Sequence, residues 1–238
     1  MNFAEYNVKD ANLEEILLAL KSLDTVEAVA LGGSRSTGAS DENSDYDIYV
    51  YCAEIPTAET RENLLGKYCS IAEFGNHYWE SEDNTVMNNG IPVDIIYREV
   101  DRFGRYINTV IKGGKAFNGY TTAFWHNIKN SKVLLDKTGT FTKFRDMVQI
   151  DFPENLRNAI IKNNRNLLNG KLPSYDRQIK KAQERGDIVS VNHRITAFLE
   201  SYFDVIFALN RQTHPGEKRQ VQLCKSIAPS CQRILKKT

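Results

Sequence analysis

Gly32-Gly33-Ser34-Arg35-Ser36-Thr37-Gly38, followed by Ser44-Asp45-Tyr46-Asp47-Ile48-Tyr49-Val50-Tyr51, is the stretch whose reading decides how the chain folds. The apolar run Val26 to Leu31 leads into it. Two glycines let backbone amides approach an anion without a Cβ in the way, and Ser34 adds a hydroxyl donor. The segment after Ser34 reads as a short helix whose start faces the turn. An alternating strand follows, with Ile48, Val50 and Cys52 on one face and Asp47, Tyr49 and Tyr51 on the other. Side chains two apart on a strand share a face, so Asp45 and Asp47 stand side by side at its beginning. Two carboxylates that close repel unless a cation lies between them, and hard oxygen ligands suit Mg²⁺. Arg35 reads equally as a phosphate contact or as an ion-pair partner.

Working outward, Leu13, Ile16, Leu17, Leu20 and Leu23 recur at helical spacing, which predicts a helix from about Asn12 to Leu23 ahead of a strand Val26–Leu31. Beyond Asp47–Cys52, Thr57 is a candidate cap for a helix that includes Leu64 and Leu65. His77 to Met87 and Ile91 to Tyr97 read as two strands joined by Asn88-Asn89-Gly90, a strong hairpin signal. In the second run Asp94 is a lone acid among apolar residues, either a surface charge or a third metal ligand. From Val100 the character becomes helical: Val100–Ile111, Phe141–Gln149, Pro153–Leu168, Pro173–Arg185 and Ile188–Leu209, with the apolar stretch Val133-Leu134-Leu135 between the first two. The expected class is therefore α+β: a small mixed sheet flanked by helices over residues 1–145, then a helical bundle over 146–238, with the site in the cleft between them.

The chain has 238 residues, of which 31 are Lys or Arg and 30 Asp or Glu, a formal charge of +1. That balance excludes the global basic excess of a dedicated nucleic-acid binder. Cys52, Cys69, Cys224 and Cys231 form no C-x-x-C pair, so neither a zinc site nor a disulfide framework is expected. The start, Met1-Asn2-Phe3-Ala4-Glu5, lacks a basic-then-apolar leader, and no apolar run approaches the roughly 20 residues a membrane span needs. A cytoplasmic protein is the expectation. The basic series Lys162, Arg165, Lys171, Arg177, Lys180, Lys181, Arg185 reads first as a solvated helix face and second as a surface for RNA or an acidic partner. Trp79 and Trp125 are expected in the core.

The combination of a glycine turn with Ser, Asp-x-Asp and a distant Asp on another strand resembles the DNA polymerase β-type nucleotidyltransferase superfamily. The helical second half makes the small-molecule members, the aminoglycoside and lincosamide resistance enzymes, the nearer likeness. Phe198 to Asp204, Ala208-Leu209-Asn210 and His214-Pro215-Gly216-Glu217-Lys218-Arg219 also resemble a less characterised bacterial branch. The resemblance implies that Gly33 and Ser34 hold a triphosphate, that Asp45 and Asp47 bind two Mg²⁺ ions, and that Asp94 binds the catalytic one. In such an arrangement the ions lie roughly 3.5–4 Å apart. It further implies a helical carboxylate as general base. Glu200 is the candidate, one turn from Asp204 and on the helix that carries His193; the plain alternative is a solvated or paired acid. Lys218 and Arg219, after a Pro-Gly turn, could meet the triphosphate or simply open a helix.

The reaction expected is transfer of a nucleoside monophosphate from an NTP, ATP in the first instance, to a hydroxyl of a small molecule, with pyrophosphate leaving. Transfer to a protein or tRNA is the second reading. A silent nucleotide sensor or antitoxin-like module is the third, and the presence of all three acids speaks against it. An oligomer is compatible with the sequence.

Overall fold

The structure, a computed structural model, describes residues 9–38, 44–170 and 173–227. Lys171 of the basic series and Cys231 lie outside the described residues. The chain divides into two compact units: Met1–Arg105 with Ile128–Gln149, and Tyr106–Asn127 with Ile150–Thr238. The second unit thus takes a segment from well before residue 145.

The first unit opens with α1 (Ala11–Ser22), capped by Asp10, whose Oδ1 accepts from the N–H groups of Asn12 and Leu13 at 3.0 and 3.3 Å. The same carboxylate accepts from the Asn89 amide at 3.2 Å and the Tyr46 hydroxyl at 3.4 Å, tying the helix start to the hairpin turn and to the head of a strand. Then come β1 (Val26–Leu31), the short α2 (Gly33–Thr37), β2 (Tyr46–Cys52) and α3 (Ala58–Leu65) with Thr57 as its cap. They are followed by β3 (Cys69–Asn76), β4 (Ser81–Met87) and β5 (Pro92–Glu99), which runs directly into α4 (Val100–Ile111). After α5 (Ala123–Asn130), β6 (Lys132–Asp136) and α6 (Thr140–Val148) complete the unit.

The strands form a six-stranded sheet in the order β3-β4-β5-β2-β1-β6. Every neighbouring pair is antiparallel except β2 and β5, which are parallel. One face is covered by α1: Leu13, Ile16, Leu17 and Leu20 are packed with Val29, Leu31, Ile48, Val50, Val93 and Ile95, all but fully buried. On the other, Tyr51 meets the rings of Phe103, Phe141 and Phe144 at 5.4–5.7 Å. That second face also carries Asp47 and Tyr49, four and two residues before Tyr51, as strand alternation requires.

The sequence reading extends one strand too far and misses another. Residues 77–80 form a connection rather than the start of β4, and the unanticipated β3 precedes it. The reason is physical: β3 is an edge strand whose residues from Ser70 to Glu73 are all exposed, so no alternation of buried and polar positions marks it. Trp79 sits in that connection and is 91% exposed, against the expectation of a core position; Trp125 is buried and stacked on Phe152.

The second unit holds α7 (Glu154–Asn169), α8 (Tyr175–Glu184), α9 (Ile188–Leu209) and α10 (Gln220–Ile227). Phe203, Ile206, Phe207 and Cys224 form an apolar core cluster within it. No helix of the described residues is long and apolar enough to cross a membrane.

Candidate active site

The parallel pairing of β2 with β5 sets Asp47 in register with Asp94. Asp45 lies two residues before Asp47, at the entry to β2. The three carboxylates converge: one oxygen from each lies within 4.8 Å of the other two, and all three side chains are half-buried. Three like charges at that spacing, partly withdrawn from water, are mutually destabilising without a cation. Hard, anionic oxygens are also the donor set that divalent ions such as Mg²⁺ take, so the residues fit the metal.

The glycine turn is built onto this cluster. Gly33 has φ of +59°, and a Cβ placed on it would lie 1.7 Å from Asp47 Oδ2. A Cβ on Gly32 would meet the Tyr49 ring at 2.2 Å. Both glycines are therefore required by contact with β2 itself, a reason beyond the anion approach read from the sequence. The Gly32 N–H donates to the Asp47 carbonyl at 2.8 Å, and the Ser36 hydroxyl donates to the Gly33 carbonyl at 2.8 Å, closing the turn. Ser34 is half-buried beside it.

Among the described residues Arg35 contacts the backbone ahead of β2 and a tyrosine ring. Its Nε donates to the carbonyls of Ser44 and Asp45 at 2.8 and 3.1 Å, its Nη2 donates to Ser44 as well, and the guanidinium lies 4.0 Å over the Tyr46 ring. It clamps the backbone on which Asp45 stands.

Several supporting residues escaped the sequence reading. Tyr49, against which Gly32 packs, lies beneath the Arg98 guanidinium at 4.2 Å. Arg98 is buried and makes a two-pronged pair with Glu80 at 2.8 and 2.7 Å, and it donates to the Tyr51 hydroxyl at 3.2 Å. Asn84 Nδ2 donates to Asp94 Oδ1 at 2.9 Å. Glu82, buried on β4, has its carboxyl held above the ordinary range by burial and then by the negative charge of Asp94. Alternation along β4 and β5 could have put Asn84 and Glu82 on the face of Asp94, but only once their pairing was known.

The remaining expected residues lie in the second unit. Glu200 is half-buried on α9, where a Cβ on Gly119 would meet its Cβ at 2.9 Å; burial raises its carboxyl above the usual range. Asp204 is buried and accepts from Thr121 N–H, Thr121 Oγ1 and Asn164 Nδ2 at 3.2, 2.7 and 3.2 Å. Its environment is that of a structural hub, and burial pushes it up to about 6. His193 is exposed, whereas His214 is buried between the rings of Tyr120 and Phe207. Lys218 and Arg219 are exposed just before α10. Arg219 holds φ of +58°, a conformation that costs a non-glycine residue about 1–3 kcal/mol.

Comparison with known proteins fits this geometry. Residues 13–116 match the family described as "Nucleotidyltransferase domain", and residues 122–219 match "Domain of unknown function (DUF4037)". The first of these matches takes in the glycine turn and all three converging acids. No curated protein matches it. Among solved structures it is similar to a nucleotidyltransferase-like protein from Exiguobacterium sibiricum 255-15, at 9% identity and a TM-score of 0.45, over 94% of this chain and 64% of that one. The chain thus spans less than two thirds of that neighbour's length.

Proposed function

We propose that the protein transfers a nucleoside monophosphate from ATP to a hydroxyl of a small-molecule acceptor. The observation that supports this most is the convergence of Asp45, Asp47 and Asp94 beside the Gly32-Gly33-Ser34 turn. In the reaction the acceptor oxygen forms a bond to the α-phosphorus, the bond from that phosphorus to the bridging oxygen breaks, and pyrophosphate leaves with the electron pair. The acceptor's proton passes to a carboxylate. Asp94 and Glu200 are the two assigned to this step, and the burial that raises Glu200 suits it to accept a proton.

Two Mg²⁺ ions would be held by Asp45 and Asp47, one of them also by Asp94; when bound they compensate the triphosphate's charge and polarise its α-phosphate. Gly33 and Ser34 offer backbone and hydroxyl donors to the phosphates. Arg35 works one step back, by keeping Asp45 in place through the carbonyls it binds. Lys218 and Arg219 are assigned to the charge that grows on the departing pyrophosphate, a role for which fixed cations are effective.

The test is Asp47→Asn, which removes a charge and keeps the shape. Mg²⁺-dependent pyrophosphate release from ATP with a panel of hydroxylated small molecules should vanish. Thermal stability should stay the same or rise, since a repulsive contact is relieved. Normal turnover with reduced stability would make the acids structural. Label appearing on protein rather than on a small molecule would move the acceptor to the macromolecular class.

A further inference from the structure

Asp94 does not stand alone on β5. Its antiparallel partner on β4 is Asn84, and the partner of Asn84 on β3 is Glu73. Asn84 Nδ2 donates to Asp94 Oδ1 at 2.9 Å. Asn84 Oδ1 in turn accepts from Asn76 Nδ2 at 2.8 Å, and Asn76 Nδ2 also donates to Glu73 Oε2 at 3.2 Å. A line of hydrogen bonds therefore crosses three adjacent strands, from the carboxylate cluster to exposed Glu73 on the edge strand.

The direction of this line follows from donor and acceptor chemistry. An ionised carboxylate only accepts, so Asn84 must turn its NH₂ toward Asp94. Its carbonyl oxygen then faces Asn76 and requires a donor. Asn76 must present its own NH₂, whose second hydrogen goes to Glu73. Carboxylates at the two ends thus dictate how both amides are oriented.

We propose that Asn84, itself held by Asn76 and Glu73, is the positioning residue that fixes the rotation of the Asp94 carboxyl about its Cβ–Cγ bond. That torsion is broad and roughly two-fold for an aspartate with no partner. One N–H donor held from behind restricts it before any cation arrives. The result is a ligand oriented in advance for the metal cluster with Asp45 and Asp47. This inference rests on the reading of those three acids as a divalent-metal site. Contacts of this kind behind a metal ligand commonly change metal affinity 10- to 100-fold when removed.

The experiment uses the full chain with Mn²⁺ as the probe, and reads affinity by electron paramagnetic resonance without nucleotide. Asn84→Ala should weaken Mn²⁺ binding about 10-fold or more, with thermal stability close to wild type. Asn76→Ala should weaken it less. The double variant should be no weaker than Asn84→Ala alone, because Asn76 acts through Asn84. Glu73→Gln should keep wild-type affinity, since its amide oxygen can still accept.

The decisive variant is Asn76→Asp, at a half-exposed position that tolerates the change. Simple electrostatics predicts tighter Mn²⁺ binding from an added negative charge. The hydrogen-bonded line predicts weaker binding than in Asn76→Ala, because a carboxylate there would draw the Asn84 NH₂ to itself and turn its carbonyl toward Asp94. Wild-type affinity in Asn84→Ala, additive losses, or tighter binding in Asn76→Asp would each overturn the proposal. Asp47→Asn separates it from the underlying reading: if that variant abolishes Mn²⁺ binding while Asn84→Ala does nothing, only the positioning role fails. If Asp47→Asn leaves Mn²⁺ affinity unchanged, the metal site itself fails.

Discussion

At the scale of single residues, the tightest constraint in the candidate site is Gly33. Its left-handed backbone and its contact with Asp47 are separate demands, and each excludes a side chain. Gly33→Ala should cost about 1–3 kcal/mol from the backbone alone. It should also push the Asp47 carboxylate out of place and so remove Mn²⁺ binding. Gly38→Ala is the matched control, because Gly38 has φ of +74° yet a Cβ there meets no described atom within 4 Å. That variant should lose a similar amount of stability and keep Mn²⁺ binding. Chemical denaturation and Mn²⁺ titration of both variants check the pair. If Gly33→Ala keeps Mn²⁺ affinity, the turn and the carboxylates are not mechanically joined. The residue-level signal was partly legible: Gly-Gly-Ser and Asp-x-Asp stand in the sequence, whereas the reason for Gly33, a carboxylate 14 positions later, belongs to the fold.

At the scale of elements, α9 owes its seat in the second unit to a buried acid as well as to its apolar face. Asp204 joins α9 to α7 through Asn164 and to the segment before α5 through Thr121. Asp204→Ala takes from the Thr121 N–H its acceptor, while Thr121 Oγ1 and Asn164 Nδ2 keep the carbonyls of Phe117 and Ile160, so a loss of about 1–3 kcal/mol is expected. The pH dependence has a definite sign. Burial raises Asp204 from 3.8 to about 6 in the folded state, so its contribution is complete below pH 3.8 and is lost as pH rises through about 6. His214 runs oppositely: burial, then the charge of His126, lowers it from 6.5 to about 3. Its contribution is present above pH 6.5 and is lost as pH falls through about 3. Comparing wild type with Asp204→Ala cancels the histidine, so the variant's deficit should be larger at pH 4.5 than at pH 7. Hydrogen exchange in α7 and α9 measures this, and an equal deficit at both pH values would show that Asp204 does not titrate in the folded protein.

At the scale of the whole molecule, the near balance of charge means that cations for a triphosphate have to be placed locally rather than supplied by a general basic field. Lys218 and Arg219 are the pair assigned that task. Replacing both with Ala should weaken ATP binding and slow turnover while the fold survives, since exposed charges contribute little to stability. Arg219→Gly adds a sharper reading. Glycine relieves the positive φ, so stability should be unchanged or higher even as ATP affinity falls. Isothermal titration with ATP and a thermal melt decide it; unchanged affinity in the double variant would leave nucleotide binding to the first unit.

What the sequence alone determined is whatever short-range periodicity and turn chemistry can encode. The strand Val26–Leu31 and the helices Val100–Ile111 and Ile188–Leu209 appear in the structure with the bounds read from the sequence. The cap at Thr57 and the Asn-Gly hairpin turn are where the chain marks them. Asp45, one residue ahead of β2, and Asp47 converge as their spacing of two implies. Tertiary structure decided the rest. Edge strand β3, exposed and without alternation, exists because β4 offers it a ladder. Arg35 binds the carbonyls of Ser44 and Asp45, and Trp79 stands in solvent, positions that neither residue type specifies by itself. Above all, Asp94 faces Asp47 across 47 residues of chain, and Asn84, Asn76 and Glu73 line up behind it, because strand pairing is a long-range contact that no local pattern specifies.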